Sequence, residues 1–304
     1  MNKKNTALLC LSALLLTGCG TVNTTIPEKD EVLMTIGDQT VTAGQEYQLI
    51  KRVNGPVLLI QGVQRDIYAK EVGDGEEIQK KVDEMYEQFA SNNENFEEQL
   101  INYGYADKQD YIDNVVLPTV QATELFRVYL NENKTEIEAQ YHPVLASIIA
   151  CDSEDNAKKA QEAIKNGTSP VDAANEYAME GASYKGEEQI ISTLVTDLPD
   201  RLTNTLYETE KDGVLDEIFE NDTTTENKVY YVVDLISSDY DANLDKIVEA
   251  FESDQDLNKA CITFYLKKYD FEIHDQYMFD YFKATNPQYL VTRPDLAESE
   301  SASK

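Results

Sequence analysis

Between Val32 and Thr42 apolar and polar residues alternate around Gly37-Asp38, the period-two signature of a strand, a tight turn and a short return strand. From Ala43 to about Leu130 the spacing lengthens to the step of a helix face. Tyr47, Ile50, Leu58, Ile60, Val63 and Ile67 mark one or two helices around the Gly55-Pro56 break, and further helices are expected at about 76–90, 93–103 and 107–130. Asp107 is the expected N-cap of the last, and Pro118 is expected to bend it, because proline removes a backbone donor.

The pattern then changes character. Val144-Leu145-Ala146-Ser147-Ile148-Ile149-Ala150 is a short apolar run that reads as a buried strand. Asp152 or Ser153 caps a helix through Ile164, Asn166-Gly167 stops it, and a second helix follows at about 169–178. Strands are expected at 190–195 and 229–236, with a short helix at about 199–208 and the turn Lys211-Asp212-Gly213 between them. Helices and strands interleaved in this way predict a compact α+β domain. One long helix is expected from Asn243 to Lys268, with Leu244, Ile247, Val248, Phe251, Leu257, Cys261, Phe264 and Leu266 as its apolar positions. A short strand at Phe271-Glu272-Ile273-His274, an aromatic helix through Tyr277, Phe279, Tyr281 and Phe282, and a frayed end at Glu298–Lys304 complete the reading.

The first residues carry an address. Lys3 and Lys4 precede an apolar run, Ala7 to Leu16, that is shorter than the roughly 20 residues a membrane-spanning helix needs. It ends in Leu16-Thr17-Gly18-Cys19, which resembles the bacterial lipobox. That resemblance implies removal of residues 1–19 up to a lipidated Cys19, which becomes the mature N-terminus. Each buried CH₂ of the acyl chains contributes about 0.8 kcal/mol, enough for multiple chains to hold the protein on a membrane. The protein is then expected on the extracytoplasmic face of the cell membrane. Gly20 to Glu31 is polar and Thr-rich with Pro27, and reads as a tether. Cys10 leaves with the signal, so Cys151 and Cys261 remain; two separate buried thiols are the favoured reading, with a single disulfide left open.

Charge narrows the function classes. The 304 residues carry 26 Lys+Arg against 57 Asp+Glu, a formal net charge of −31. Nucleic-acid partners are excluded on this ground, since polyanion binding needs a basic patch. With 41% hydrophobic and 27% charged residues the chain is nonetheless globular, and it is long enough for about two domains. His142 and His274 are the only histidines, which leaves little room for imidazole catalysis or a His-rich metal site. Asp254-Gln255-Asp256-Leu257-Asn258-Lys259 begins like a calcium loop, but Lys259 stands where the loop needs Gly and Tyr265 where it needs Glu, so it reads as a solvated helix face. No metal and no cofactor are expected.

Four segments in order carry a family resemblance: Ala146-Ser147-Ile148-Ile149, Ala157-Lys158-Lys159-Ala160, Lys165-Asn166-Gly167 and Ala174-Asn175-Glu176-Tyr177. Together with the lipobox they resemble the PrsA-like extracytoplasmic foldase lipoproteins of Gram-positive bacteria, whose SurA-type helical chaperone domain carries an inserted parvulin-type prolyl isomerase domain. The family's Gly-Gly-Asp-Leu-Gly turn is reduced here to Lys185-Gly186-Glu187-Glu188. The resemblance implies an α+β fold: a mostly helical chaperone lobe from 32–140 and 241–285, an inserted parvulin-like domain at 141–240, and a flexible tail at 286–304. The two pocket histidines of that family fall on Ile148 and Tyr231, and the apolar residues that hold the proline ring fall on Leu198 and Leu202. Those four positions form a degenerate pocket, and enzymatic activity is not expected to be efficient. The implied partners are unfolded secreted polypeptides and, through Cys19, the membrane, with a homodimer left open. Two other readings stand beside this chaperone: an active prolyl isomerase with an atypical pocket, and a surface lipoprotein that binds one specific partner.

Overall fold

The computed structural model describes residues 26–93, 95–209, 211–221 and 228–293. The signal, the lipobox with Cys19, the first half of the tether and the end at Glu298–Lys304 lie outside the described residues.

The chain opens with strands β1 (Val32–Ile36) and β2 (Gln39–Thr42) and helix α1 (Ala43–Glu71). Helices α2 (Glu76–Ser91), α3 (Phe96–Asn102), α4 (Lys108–Tyr111), α5 (Leu117–Glu132) and α6 (Lys134–Tyr141) follow. A mixed region comes next: β3 (Val144–Cys151), α7 (Glu154–Lys165), α8 (Pro170–Tyr177), β4 (Lys185–Ile191), α9 (Asp200–Glu208), β5 (Gly213–Val214), β6 (Phe219–Glu220) and β7 (Tyr230–Ser237). Helices α10 (Tyr240–Phe251), α11 (Gln255–Lys268) and α12 (Gln276–Thr285) close the chain. The fold is α+β, and it divides into two compact units, one of residues 1–70 with 259–304 and one of 71–258.

In the first unit, β1 and β2 form an antiparallel hairpin that turns at Gly37, whose φ of +56° suits glycine. Thr42 and Gln45 then start α1 with a capping box: the Thr42 amide donates to Gln45 Oε1 at 2.9 Å, and the Gln45 amide donates to Thr42 Oγ1 at 3.4 Å. The helix runs unbroken through Pro56, where one or two helices are expected from the sequence. Pro56 has no N–H for the carbonyl of Arg52, four residues earlier. The Tyr277 hydroxyl fills that position, donating to the Arg52 carbonyl at 3.0 Å. Gly55 beside it lets the Met278 side chain approach the α1 backbone, and Lys51 pairs with Asp275, the N-cap of α12.

In the second unit, Ile78, Val82, Tyr86, Ile112, Val116 and Val120 form the helical core. The expected helix at 107–130 is capped by Asp107, which accepts from the Asp110 amide at 2.9 Å. It is interrupted by a π-helical turn, Ile112–Val116, immediately before Pro118, which then sits in the first turn of α5 where its missing donor costs little. Helix α10 is fixed to α5 by the Tyr240 hydroxyl, which donates to the Leu130 carbonyl at 2.9 Å, and by the Arg127–Asp245 ion pair. The sheet has the order β4-β3-β7-β5, with β6 also on β7, and all its pairings are antiparallel. One face packs on α9, the other on α7 and α8. Ser153 caps α7, and Gly167, at φ +95°, stops it, both as the sequence predicts.

Four expectations are corrected. The strand placed at 190–195 begins at Lys185, so the reduced glycine turn Lys185–Glu188 lies within β4. The long helix at 243–268 is two helices, because the Asp254 carboxylate accepts from the Leu257 amide at 2.8 Å and Asn258 donates to the Glu252 and Asp254 carbonyls, a capping network that restarts the helix. Asp254 is therefore a cap and not part of a continuous helix face. Residues 271–274 form no strand. Within the segment read as a tail, Pro287–Tyr289 make a short 3₁₀ turn and Leu290 is buried.

Candidate functional site

The four pocket positions are brought together. In β3 and β7, Ile148 lies opposite Val233 and Ala150 opposite Tyr231, so Ile148 and Tyr231 share one sheet face. Leu198 and Leu202, just before and within α9, cover that face in the same apolar cluster. Solvent reaches 0% of Ile148, 0% of Leu202, 6% of Leu198 and 8% of Tyr231. A branched aliphatic chain at 148 takes the space of an imidazole without its hydrogen bonds, and the layer closes over it.

A polar pair stands beside this layer that the sequence did not point to. Tyr184 donates its hydroxyl to Asp197 Oδ1 at 2.6 Å, and its ring meets Tyr231 edge to face with centroids 6.3 Å apart. Burial, then the Asp197 hydrogen bond and charge, push the Tyr184 phenol up; burial, then the Asp197 charge, do the same for Tyr231. Both phenols are therefore neutral near pH 7, and that of Tyr184 donates to Asp197. Tyr184 directly precedes the marked segment Lys185–Glu188 and Asp197 the marked position Leu198, and only the fold joins them. His142 stacks on Tyr207 with centroids 5.3 Å apart, while His274 is exposed and 4.0 Å from Glu272. Neither belongs to the apolar cluster that holds positions 148 and 231. Among the described residues no group of three or more His, Cys, Asp or Glu could hold a metal ion.

A second candidate surface belongs to the first unit. Val32, Leu33, Met34 and Ile36 on β1 are all exposed, as are Leu49, Ile50, Val53, Val57 and Leu58 on α1. Ile36 and Val53 reach 74% and 75% exposure, so these are whole side chains in water and not edges of a core. Clustered apolar side chains of this kind mark a surface that binds something. Cys151 and Cys261 are free thiols, both buried. Among the described residues no helix is long and apolar enough to cross a membrane.

No protein-family model matches the chain. It is 25% identical over 287 residues to the foldase protein PrsA of Streptococcus mutans, covering 88% of this chain and 82% of the relative. It is 26% identical over 242 residues to the foldase protein PrsA of Streptococcus gordonii, covering 76% and 75%. Among solved structures, PrsA from Streptococcus pneumoniae covers 85% of this chain and 99% of its own at 19% identity and a TM-score of 0.40. The similarity to the curated relatives runs through most of both chains and agrees with the segments that resemble the family: the chain is PrsA-like.

Proposed function

We propose that this chain is a lipid-anchored extracytoplasmic chaperone that assists the folding of secreted polypeptides without efficient prolyl isomerase catalysis. The reading is carried by one observation: among the described residues the exposed apolar side chains concentrate on β1 and α1, while the pocket positions at 148, 198, 202 and 231 are sealed in a core. The foldase name of the relatives and their match over most of the chain support the class.

Each exposed Val, Leu or Ile covered by a client contributes up to about 1.5–3 kcal/mol before the cost of ordering the client is taken off, so several such contacts give a weak and reversible grip. Isomerisation has a barrier of about 18–20 kcal/mol, and a catalyst lowers it by holding a twisted amide in a shaped polar pocket. Ile148 and Leu202 leave no access for a proline ring. In this reading 32–140 and 241–285 form the chaperone lobe, 141–240 is an inserted parvulin-like binding or spacing domain, and Cys19 carries the lipid. The hydrogen bond from Tyr277 to Arg52, which joins an early helix to a late one, supports the pairing of the two ends of the chain.

The test is suppression of client aggregation by the soluble mature protein, followed by light scattering, beside an Xaa-Pro isomerisation assay. Suppression that weakens in an Ile36→Ser/Val53→Ser variant, with no isomerase activity, is the expected result. Clear catalysis would instead favour an atypical isomerase, for which the Tyr184–Asp197 pair is the supporting observation. Activity toward one protein and no other client would favour the single-partner lipoprotein.

A further inference from the structure

The first unit has a groove of about 480 Å³ at the start of α1. Ile26 and Lys29 line it from the entering chain, and Leu49 and Arg52 line it from one stripe of the helix. We infer that this groove and strand β1 seat the protein on a lipid bilayer, the groove taking a headgroup phosphate and β1 lying along the boundary between headgroups and acyl chains. This second hold on the membrane rests on the Cys19 anchor of the proposed function and adds to it.

Three features point to that partner. First, the route of the chain is fixed. The Lys29 carbonyl accepts from the Gly44 amide at 2.8 Å and the Glu31 carbonyl from the Ala43 amide at 2.9 Å, which ties the segment leading in from the tether to the start of α1. Cys19 precedes Ile26 by seven residues, which span about 25 Å at most. A lipid on Cys19 therefore keeps the groove close to the bilayer. A tether this short gives an effective concentration of about millimolar, so a contact too weak to form from solution is occupied.

Second, β1 holds its apolar side chains in water. Among the described residues it pairs only with β2, and Val32, Leu33, Met34 and Ile36 are all exposed. A two-stranded hairpin is marginal by itself in water, and a lipid interface would take these side chains out of it. Val32 lies opposite Thr42, which lines the groove, so strand and groove adjoin. The third feature is charge. Lys29 and Arg52 share the groove with a single carboxylate, Asp30, and among the described residues neither cation is held in an ion pair. Glu28 and Glu31 flank Lys29 in sequence but do not line the groove. A guanidinium matches phosphate oxygens in pairs and an ammonium adds a point charge, while both stems lie along apolar surface with their heads among headgroups. The net charge of −31 opposes an anionic surface, but charges more than about 8 Å away are largely screened at physiological salt, so the local pair decides the contact.

The chain has no Trp, so Met34→Trp puts a single reporter on β1. The chain from Cys19 to Lys304 carrying it is coupled through Cys19 to a maleimide lipid in vesicles of phosphatidylcholine and phosphatidylglycerol; Cys151 and Cys261 are buried and do not compete. Acyl chains brominated near the headgroup should quench the Trp about twofold, with a blue shift of its emission. Leu33→Ser/Ile36→Ser and Lys29→Gln/Arg52→Gln, all at exposed positions, should each remove about half of that quenching or more. Quenching that is absent, or that survives either pair of substitutions in full, overturns the inference. So does a blue shift that appears without vesicles and grows with protein concentration, which assigns β1 to a second copy, or one that an unfolded client produces and vesicles do not, which assigns β1 to the client. Protection of 26–31 from hydrogen exchange by inorganic phosphate alone, without vesicles, overturns the headgroup as the groove's occupant. The coupling supplies the tether whether or not cells lipidate Cys19. Metabolic labelling with a fatty acid tests that step by itself: a wild-type chain without label overturns the anchor, while quenching on the coupled vesicles still establishes the contact.

Discussion

Tyr277 donates its hydroxyl at 3.0 Å to the carbonyl of Arg52, the acceptor in α1 that Pro56 leaves without its helical donor. A proline in a helix interior ordinarily costs about 3 kcal/mol or more, partly through that orphaned carbonyl. Here a residue more than two hundred positions later supplies the missing hydrogen bond.

The pairing makes a prediction that a double-mutant cycle can read. Tyr277→Phe should destabilise the protein by about 0.5–1 kcal/mol, modest because the bond is exposed. In a Pro56→Ala background the restored amide bonds the Arg52 carbonyl itself, and Tyr277→Phe should then cost nearly nothing. Equal costs in the two backgrounds, measured by urea unfolding, would show that the hydroxyl does not serve the proline's vacancy.

Restoring a histidine should not restore a catalyst. Ile148 is wholly buried in a cluster of aliphatic and aromatic side chains, so Ile148→His places a polar ring where its nitrogens find few partners. A loss of about 2–4 kcal/mol is expected, with no gain in Xaa-Pro isomerisation. A stable Ile148→His protein with measurable catalysis would mean that the pocket opens.

Alkaline conditions should weaken the fold before acid chemistry matters to these groups. Burial pushes the thiol of Cys261 from 9.0 up to about 12; burial and the Asp152 charge do so for Cys151. The phenols of Tyr68 and Tyr207 rise from 10.0 to about 12, chiefly by burial. Above the unfolded values the unfolded chain releases protons that the folded chain retains, so it binds fewer, and stability falls as pH rises. The contribution is whole below about pH 9 and is lost through the window up to about 12. Urea midpoints taken from pH 8 to 11 should decline, and Cys261→Ala should flatten the decline.

Two glycines should respond very differently to alanine. A Cβ on Gly186 would lie 2.4 Å from the backbone carbon and oxygen of Pro170, and its φ is +83°. Gly186→Ala should cost about 3 kcal/mol or more. A Cβ on Gly55 meets the free end of Met278 at 2.5 Å, which can swing aside, and the Lys51 side chain at an ordinary 3.5 Å. Gly55→Ala removes a glycine from a helix interior, worth about 1 kcal/mol, so the net change should stay within that amount of zero. Thermal unfolding of the two variants side by side decides it.

What the sequence made legible was local. The apolar run of β3, the Ser153 cap and the Gly167 stop each depend on neighbours a few residues away, and all three stand where the pattern puts them. The errors came from distant partners or competing local chemistry. Pro56 looked like a break because Tyr277 is invisible to a window around it. The apolar period through 243–268 hid a restart, since Asp254 and Asn258 cap more strongly than the period continues. The extent of β4 was missed because Lys185 and Glu187 are exposed at a sheet edge and carry no apolar signal. At the candidate site, the four pocket positions followed from the resemblance, whereas Tyr184 and Asp197 meet only through the tertiary fold.

The two cysteines among the described residues have a practical consequence. Cys151 is buried in β3 of one compact unit and Cys261 in α11 of the other, and neither is disulfide-bonded. With thiolates suppressed by burial, both should be silent toward alkylating reagents in the folded protein and react only on opening. In a soluble chain starting after Cys19, single Cys→Ala variants would leave one reporter each, so that labelling rates time the opening of each unit separately.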